Sequence, residues 1–222
     1  MNSSSNSLRV LLGRMLLISL VAPACAKAQG ERDPAPLPAT TTFSTQAVAG
    51  KTVGVLPLTL VAADPALESD PVYTSYQGRR SALHRADSLI AEALVSRGPE
   101  VGWVLPPELR KMARRSAGFV ADPDQMGQAV LRAPKMITVP DPLRSSLRSL
   151  LAIADARLAL VPAALGFGPE PDGQIRADLS LVLVDVRSGK VMWRSLAPGR
   201  GKSPDEALNA ALAAVLPVSG GQ

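Results

Sequence analysis

The sequence predicts an α+β sandwich, one mixed sheet with helices packed on it, and three observations predict it. Apolar residues form short β-rich runs near Val53 and again from Arg157 to Leu196, with helical spacing between and after them. The last three strand-like runs are joined by short turns, which makes them an antiparallel meander. The order strand, helix, strand, helices, three strands, helix then matches a single sheet covered by helices.

The amino-terminal residues precede that domain. Arg9 and Arg14 lead into the apolar run Leu16 to Ala22, which is followed by Pro23-Ala24-Cys25-Ala26-Lys27-Ala28-Gln29. A charged start, a short apolar core and a small-residue cleavage site form an export signal over residues 1–28. The run is far below the roughly 20 residues of a membrane-spanning helix. Two processing outcomes are open. Cleavage after Ala28, in Ala26-Lys27-Ala28, leaves a soluble chain that starts at Gln29. Alternatively Cys25 accepts lipid, although Ala22 and Pro23 depart from the usual residues before a lipidated cysteine. Residues 29–49, with alternating Pro34, Pro36 and Pro38, read as an extended tether. A single domain over 50–217 and a short tail, 218–222, complete the chain.

Within the domain, Val53 to Val61 reads as a strand buried on both faces, in which Pro57 implies an edge position, a bulge or an early strand end. A loop through Asp64 to Gly78 follows. Ser81 to Arg97 is a helix with Leu83, Ala86, Ile90, Ala93 and Leu94 on one face and Gly98 as its stop. Glu100 to Leu105 is a second strand. Pro106-Pro107-Glu108 opens a helix to about Ser116 with Leu109, Met112 and Ala113 inward. Asp122-Pro123-Asp124-Gln125 has the residues of a helix start, and Asp141-Pro142 repeats them before the stripe Leu143, Leu147, Leu150, Leu151, Ala154. The three strands are Arg157 to Gly166, Ile175 to Val186 and Val191 to Leu196. Ser203-Pro204-Asp205-Glu206 is a capping box for a last helix with Leu208, Ala211, Leu212 and Val215 inward.

Composition narrows the function. The chain carries a net charge of +5, but without Arg9, Arg14 and Lys27 only 21 basic residues face 19 acidic ones. A mature chain that close to neutrality is not a nucleic-acid binder. Cys25 is the only cysteine, so no disulfide holds the domain and a hydrophobic core must. Neither a zinc site of familiar spacing nor a cofactor motif is present, and His84 is the only histidine. Gly199-Arg200-Gly201-Lys202-Ser203 has the flavour of a phosphate loop, but Leu196 stands where its first glycine belongs. A turn ended by a helix cap explains it better. Asp64, Glu68, Asp70, Asp122 and Asp124 read as solvated or capping acids, and no catalytic constellation emerges.

Six residues are candidate partner contacts. Arg110, Lys111, Arg114 and Arg115 place like charges four residues apart on one helix, at a cost of a few tenths of a kcal/mol per pair. They form either a solvated face or a contact for lipid headgroups, cell-wall polymer or an acidic protein. Trp103 and Trp193 fall on strands, as packing residues or as interface anchors.

Several of these segments resemble a known group. They are Val53-Gly54-Val55-Leu56-Pro57-Leu58, the helix through Ala86-Asp87-Ser88-Leu89 ending at Gly98, and Leu105-Pro106-Pro107-Glu108-Leu109. Ala154-Asp155-Ala156 before a strand and the hairpin Leu183 to Trp193, with Asp185, Gly189 and Trp193, complete the set. Together they are similar to the TolB amino-terminal-like domains of bacterial envelope proteins, with the CsgG-type and LpoB-type proteins among them. The resemblance covers about 50–217. It implies a non-enzymatic module, without cofactor or metal, that binds other envelope proteins in the periplasm or from an outer-membrane lipid anchor on Cys25. An exported hydrolase, working through scattered carboxylates or a triad at His84, and a carrier of small ligands or lipid with an apolar cavity are the alternatives.

Overall fold

The computed structural model describes residues 40–217. Among these residues six strands form one mixed sheet: β1 (Thr52–Val55), β2 (Val61–Ala63), β3 (Gly102–Val104), β4 (Leu158–Pro169), β5 (Ile175–Asp185) and β6 (Lys190–Gly201). Five α-helices among the described residues accompany them: α1 (Pro65–Glu68), α2 (Arg79–Arg97), α3 (Pro106–Arg115), α4 (Leu143–Ile153) and α5 (Pro204–Val215). The order across the sheet is β3-β1-β4-β5-β6, with β2 also paired to β4. The pairs of β1 with β3 and β4, and of β2 with β4, are parallel, whereas β4-β5-β6 is the expected antiparallel meander. The architecture is therefore the α+β sandwich.

The first strand breaks at Pro57, and the break is stitched by side chains. β1 pairs with the first part of β4, and β2 resumes against its last part after Leu60. The backbone groups set free between them need partners, because a buried orphan costs about as much as a lost hydrogen bond. Leu58 N–H donates to Asp87 Oδ1 on α2 (2.8 Å), and Gln128 Nε2 donates to the Pro57 carbonyl (3.0 Å).

Each face of the sheet has its own core. On the first, Val53, Val55, Leu160, Leu179 and Leu181 meet Ala86, Ile90 and Leu94 of α2 and Leu208, Ala211 and Leu212 of α5. Phe43, Thr45 and Val48 are buried with them, so the packed domain takes in part of the segment read as tether. On the second face, Ala159, Val161, Val182 and Val184 meet Leu109 of α3 and Leu147, Leu150 and Leu151 of α4.

A bulge in β4 moves its residues between these faces. Strict alternation would carry Leu165 to the same side as Val161 and Ala163. The register shifts between Pro162 and Ala164, so Leu165 and Phe167 join the first core. Ala164, Gly166 and Gly168 consequently come to the second face.

Three expectations need correction. Asp122-Pro123-Asp124-Gln125 starts no helix: Asp122 Oδ1 accepts the Asp124 N–H (3.0 Å) in a tight turn, and only a 3-10 turn, Gln128–Arg132, follows. Asp141 does not cap α4, because its carboxylate accepts from Arg144 Nη2 (3.1 Å) and Ser145 Oγ (3.0 Å). Gly199-Arg200-Gly201 is not a turn but the end of β6, which runs five residues past Leu196. Pro198 is tolerated there because β6 is an edge strand. Thr40 and Thr41 hydroxyls donate to the outward carbonyls of Leu196 (3.2 Å) and Arg194 (3.0 Å). Hydroxyl straps and a proline blunt the edge against addition of another strand.

Candidate functional site

The charged candidates sit on α3, which Pro106 starts and Leu109 and Ala113 hold to the sheet. Arg110 turns inward. Its Nη2 donates to Asp87 Oδ2 (2.8 Å) and its Nε and Nη2 bind Asp124 (2.9 and 2.8 Å). Burial pushes the Asp87 carboxyl up, opposed by the Leu58 amide and by Arg110. This cluster fastens α3 to α2 and to the strand break, so Arg110 is an internal cross-link. Lys111, Arg114 and Arg115 are exposed, and among the described residues none forms an ion pair.

Both tryptophans pack inside the domain. Trp103 is half-buried and its indole N–H donates to the Gly98 carbonyl (2.8 Å). Trp193 meets Phe43 edge to face, with centroids 4.9 Å apart. Cys25 and Ala28 lie outside the described residues.

His84 is exposed on α2, in a wide depression with Arg79, Arg80, Arg85 and Ser88. The nearby hydroxyls are engaged elsewhere: Ser88 Oγ donates to the His84 carbonyl (2.9 Å) and Ser81 Oγ to the Gln77 carbonyl (2.6 Å). A nucleophile bonded to the imidazole, as a triad requires, is not assembled here. Among the described residues no three His, Cys, Asp or Glu side chains are placed to hold a metal ion, and no helix is long and apolar enough to cross a membrane.

The glycine-rich segment serves packing. A Cβ on Gly199 would stand 2.1 Å from the Ala207 carbonyl oxygen and 2.2 Å from the Ala211 nitrogen. One on Gly201 would stand 2.4 Å from Glu206 Cβ. The glycines let α5 lie directly on β6. The amides at its start are taken by the capping box: Ser203 Oγ accepts from Glu206 N–H (3.3 Å) and Glu206 Oε2 from Lys202 N–H (2.9 Å).

The sequence reading missed the concavity that the second face leaves open. Past the β4 bulge, two rows cross three strands on this face: Ala164, Ser180 and Leu196, then Gly166, Asp178 and Pro198, with only small residues contributed by β4. The space over Gly166 is open, with no atom within 4 Å of where its Cβ would be. Together with Val130, Ala133 and Pro134 from the segment overhead, these strands enclose a groove of about 650 Å³. Thr41, Arg132, Asp178, Ser180 and Arg194 are its polar members. Ser180 is only 7% exposed and its hydroxyl makes no hydrogen bond among the described residues. The alternation of Ala164, Gly166 and Gly168 with Leu165 and Phe167 was the available signal, since one side of that strand has no bulk to fill its own face.

No family model matches the chain, and no curated protein does. Among solved structures the chain is similar to the LpoB C-terminal domain from Salmonella enterica, at 13% identity over 70% of this chain and 85% of that one, with a TM-score of 0.38. It is similar to the PelC dodecamer from Paraburkholderia phytofirmans, at 16% identity over 83% and 96%, with a TM-score of 0.38. It is also similar to lipoprotein GNA1162 from Neisseria meningitidis, at 16% identity over 68% and 81%, with a TM-score of 0.33.

Proposed function

We propose that the chain is a non-enzymatic, exported module of the bacterial envelope that binds another envelope protein through the open end of its second sheet face. The groove carries this reading. Its lining mixes apolar residues with a few polar ones and is built on three strands of one sheet, as a docking site requires. Docking on the face also suits an edge strand already closed to β-addition. The export signal supplies the compartment, and the resemblance to envelope domains agrees with it.

Site-specific photo-crosslinking in intact cells tests it. A crosslinker at Val130 or Leu196 should trap one envelope protein, and one at His84 on the opposite layer should not. Leu196→Arg should abolish the adduct while the thermal melt stays near that of the parent chain. Equal trapping from both faces, or turnover of an ester or cell-wall substrate that His84→Ala removes, would overturn the proposal in favour of the hydrolase. The groove is also the feature that a small-ligand carrier needs, and co-purification of a lipid in it would favour that second reading.

A further inference from the structure

The groove has unequal ends. At one, the Arg194 guanidinium is half-buried and donates to the carbonyls of Leu131 (2.8 Å), Ala133 (2.7 Å) and Met136 (2.8 Å). Three of its five N–H groups are used this way, which leaves Nε–H and one Nη2–H. Arg132 stands beside it, exposed on the rim. Among the described residues neither arginine has a carboxylate partner, although Arg85, Arg110, Arg144, Arg157, Arg176 and Arg200 each have one. Burial lowers the Arg194 pKa, as expected of a cation stripped of water without a counter-charge.

The other end is an acceptor. Asp178 Oδ2 is held by Arg176 Nε (3.0 Å), while its Oδ1 is buried with no donor. Ser180, nine-tenths buried, lies between the ends. Arg194 is opposite Val182, four residues along β5 from Asp178, or roughly 13 Å of strand. Three or four residues of extended chain span that distance. A fatty acid would satisfy the arginines but bring no donor for Asp178, whereas a polypeptide brings a carboxylate and N–H groups together.

We infer that the groove receives an extended apolar segment of a protein partner, which presents a carboxylate to Arg132 and Arg194 and an N–H donor to Asp178 Oδ1. The inference rests on the docking role proposed for this face and specifies its partner's chemistry.

The test uses the exported chain, labelled with ¹⁵N, and the probe acetyl-Leu-Ala-Leu-Glu-amide, with Gln and Lys in place of Glu as comparators. The Glu probe should shift resonances of 130–136, 178–180 and 194–196. It should bind about tenfold more tightly than the Gln probe, the worth of one charge-assisted hydrogen bond. Arg132→Glu, at an exposed position whose side chain makes no hydrogen bond among the described residues, should leave the fold intact and erase that preference. Equal affinity for the Glu and Gln probes, or shifts confined to another face, would refute the carboxylate. Decanoate binding as tightly as the Glu probe would refute the protein partner. If the probes fail while the Val130 and Leu196 crosslinks form, the docking face stands and this chemistry falls; if both fail, both fall.

Discussion

Gly199→Ala offers a test in which two lines of reasoning disagree in sign. Glycine in a strand is destabilising by roughly 0.5–1 kcal/mol relative to alanine, so propensity alone forecasts a stabilised protein. The structure forecasts the reverse. The new Cβ would meet backbone atoms of α5 at 2.1 and 2.2 Å, where ordinary contact begins near 3.4 Å. Backbone cannot rotate away, so α5 must lift by about 1 Å, and a gap of that size forfeits a quarter to a half of each contact along it. Ala207, Leu208, Ala211, Leu212 and Val215 all face that gap. Overpacking costs about 1–3 kcal/mol, and the loosened helix should put this case near the upper end. Urea unfolding followed by tryptophan fluorescence and far-UV dichroism reads the difference directly. Gly166→Ala is the control: its Cβ has open space, so stability should stay level or rise by up to about 1 kcal/mol. If Gly199→Ala unfolds within about 0.5 kcal/mol of the parent, close packing is not why that glycine is there.

Asp185 is held down by Arg157 and by the amides of Arg187 and Ser188, so its folded pKa lies below its unfolded value. Its stabilisation is therefore complete above the ordinary value of about 3.9 and fades as pH falls through the folded pKa; Asp185→Asn should lower the urea midpoint at pH 7 and flatten its decline below about pH 4. Ser203→Ala removes an N-cap and should cost about 1 kcal/mol by thermal unfolding, with the fold unchanged. Trp103→Ala should cost about 3 kcal/mol as a packing residue; a change in partner capture with unaltered stability would return it to the interface. Arg110→Glu sets a third carboxylate against Asp87 and Asp124 and should lower the melting temperature before any partner is added.

The sequence carried the fold better than the site, for physical reasons. α2, α4 and α5 were legible because their apolar stripes repeat along one face, and α5 because Ser203 and Glu206 satisfy each other's amides locally. The missing N–H of Pro57 marked a disturbed strand, but not that the strand stops there and resumes as β2. The turn at Asp122 was not, because an acid before proline caps a helix and closes an Asx turn with the same bond. The end of β6 was hidden since Gly-Arg-Gly reads as a turn unless α5 is known to rest on it. Arg110 looked like part of a charged face because Asp87 lies 23 residues away in sequence. The groove left one local trace, the small-large alternation from Ala164 to Gly168, but its place on the second face needed the bulge in β4, which depends on strand register.

That bulge ties the groove to strand register. Substitutions at Ala164, Gly166 or Leu196 would alter its depth and leave its existence alone. A one-residue slip of β4 along β5 that closed the bulge, pairing Ala163 with Ser180, would restore alternation from Val161 onward. Leu165 and Phe167 would then swing into the groove and fill it, while the first core lost two of its anchors. Deleting Ala163 instead removes the extra residue and leaves both on the first face, so the groove survives a shortened strand and is lost only when the pairing of β4 with β5 slips.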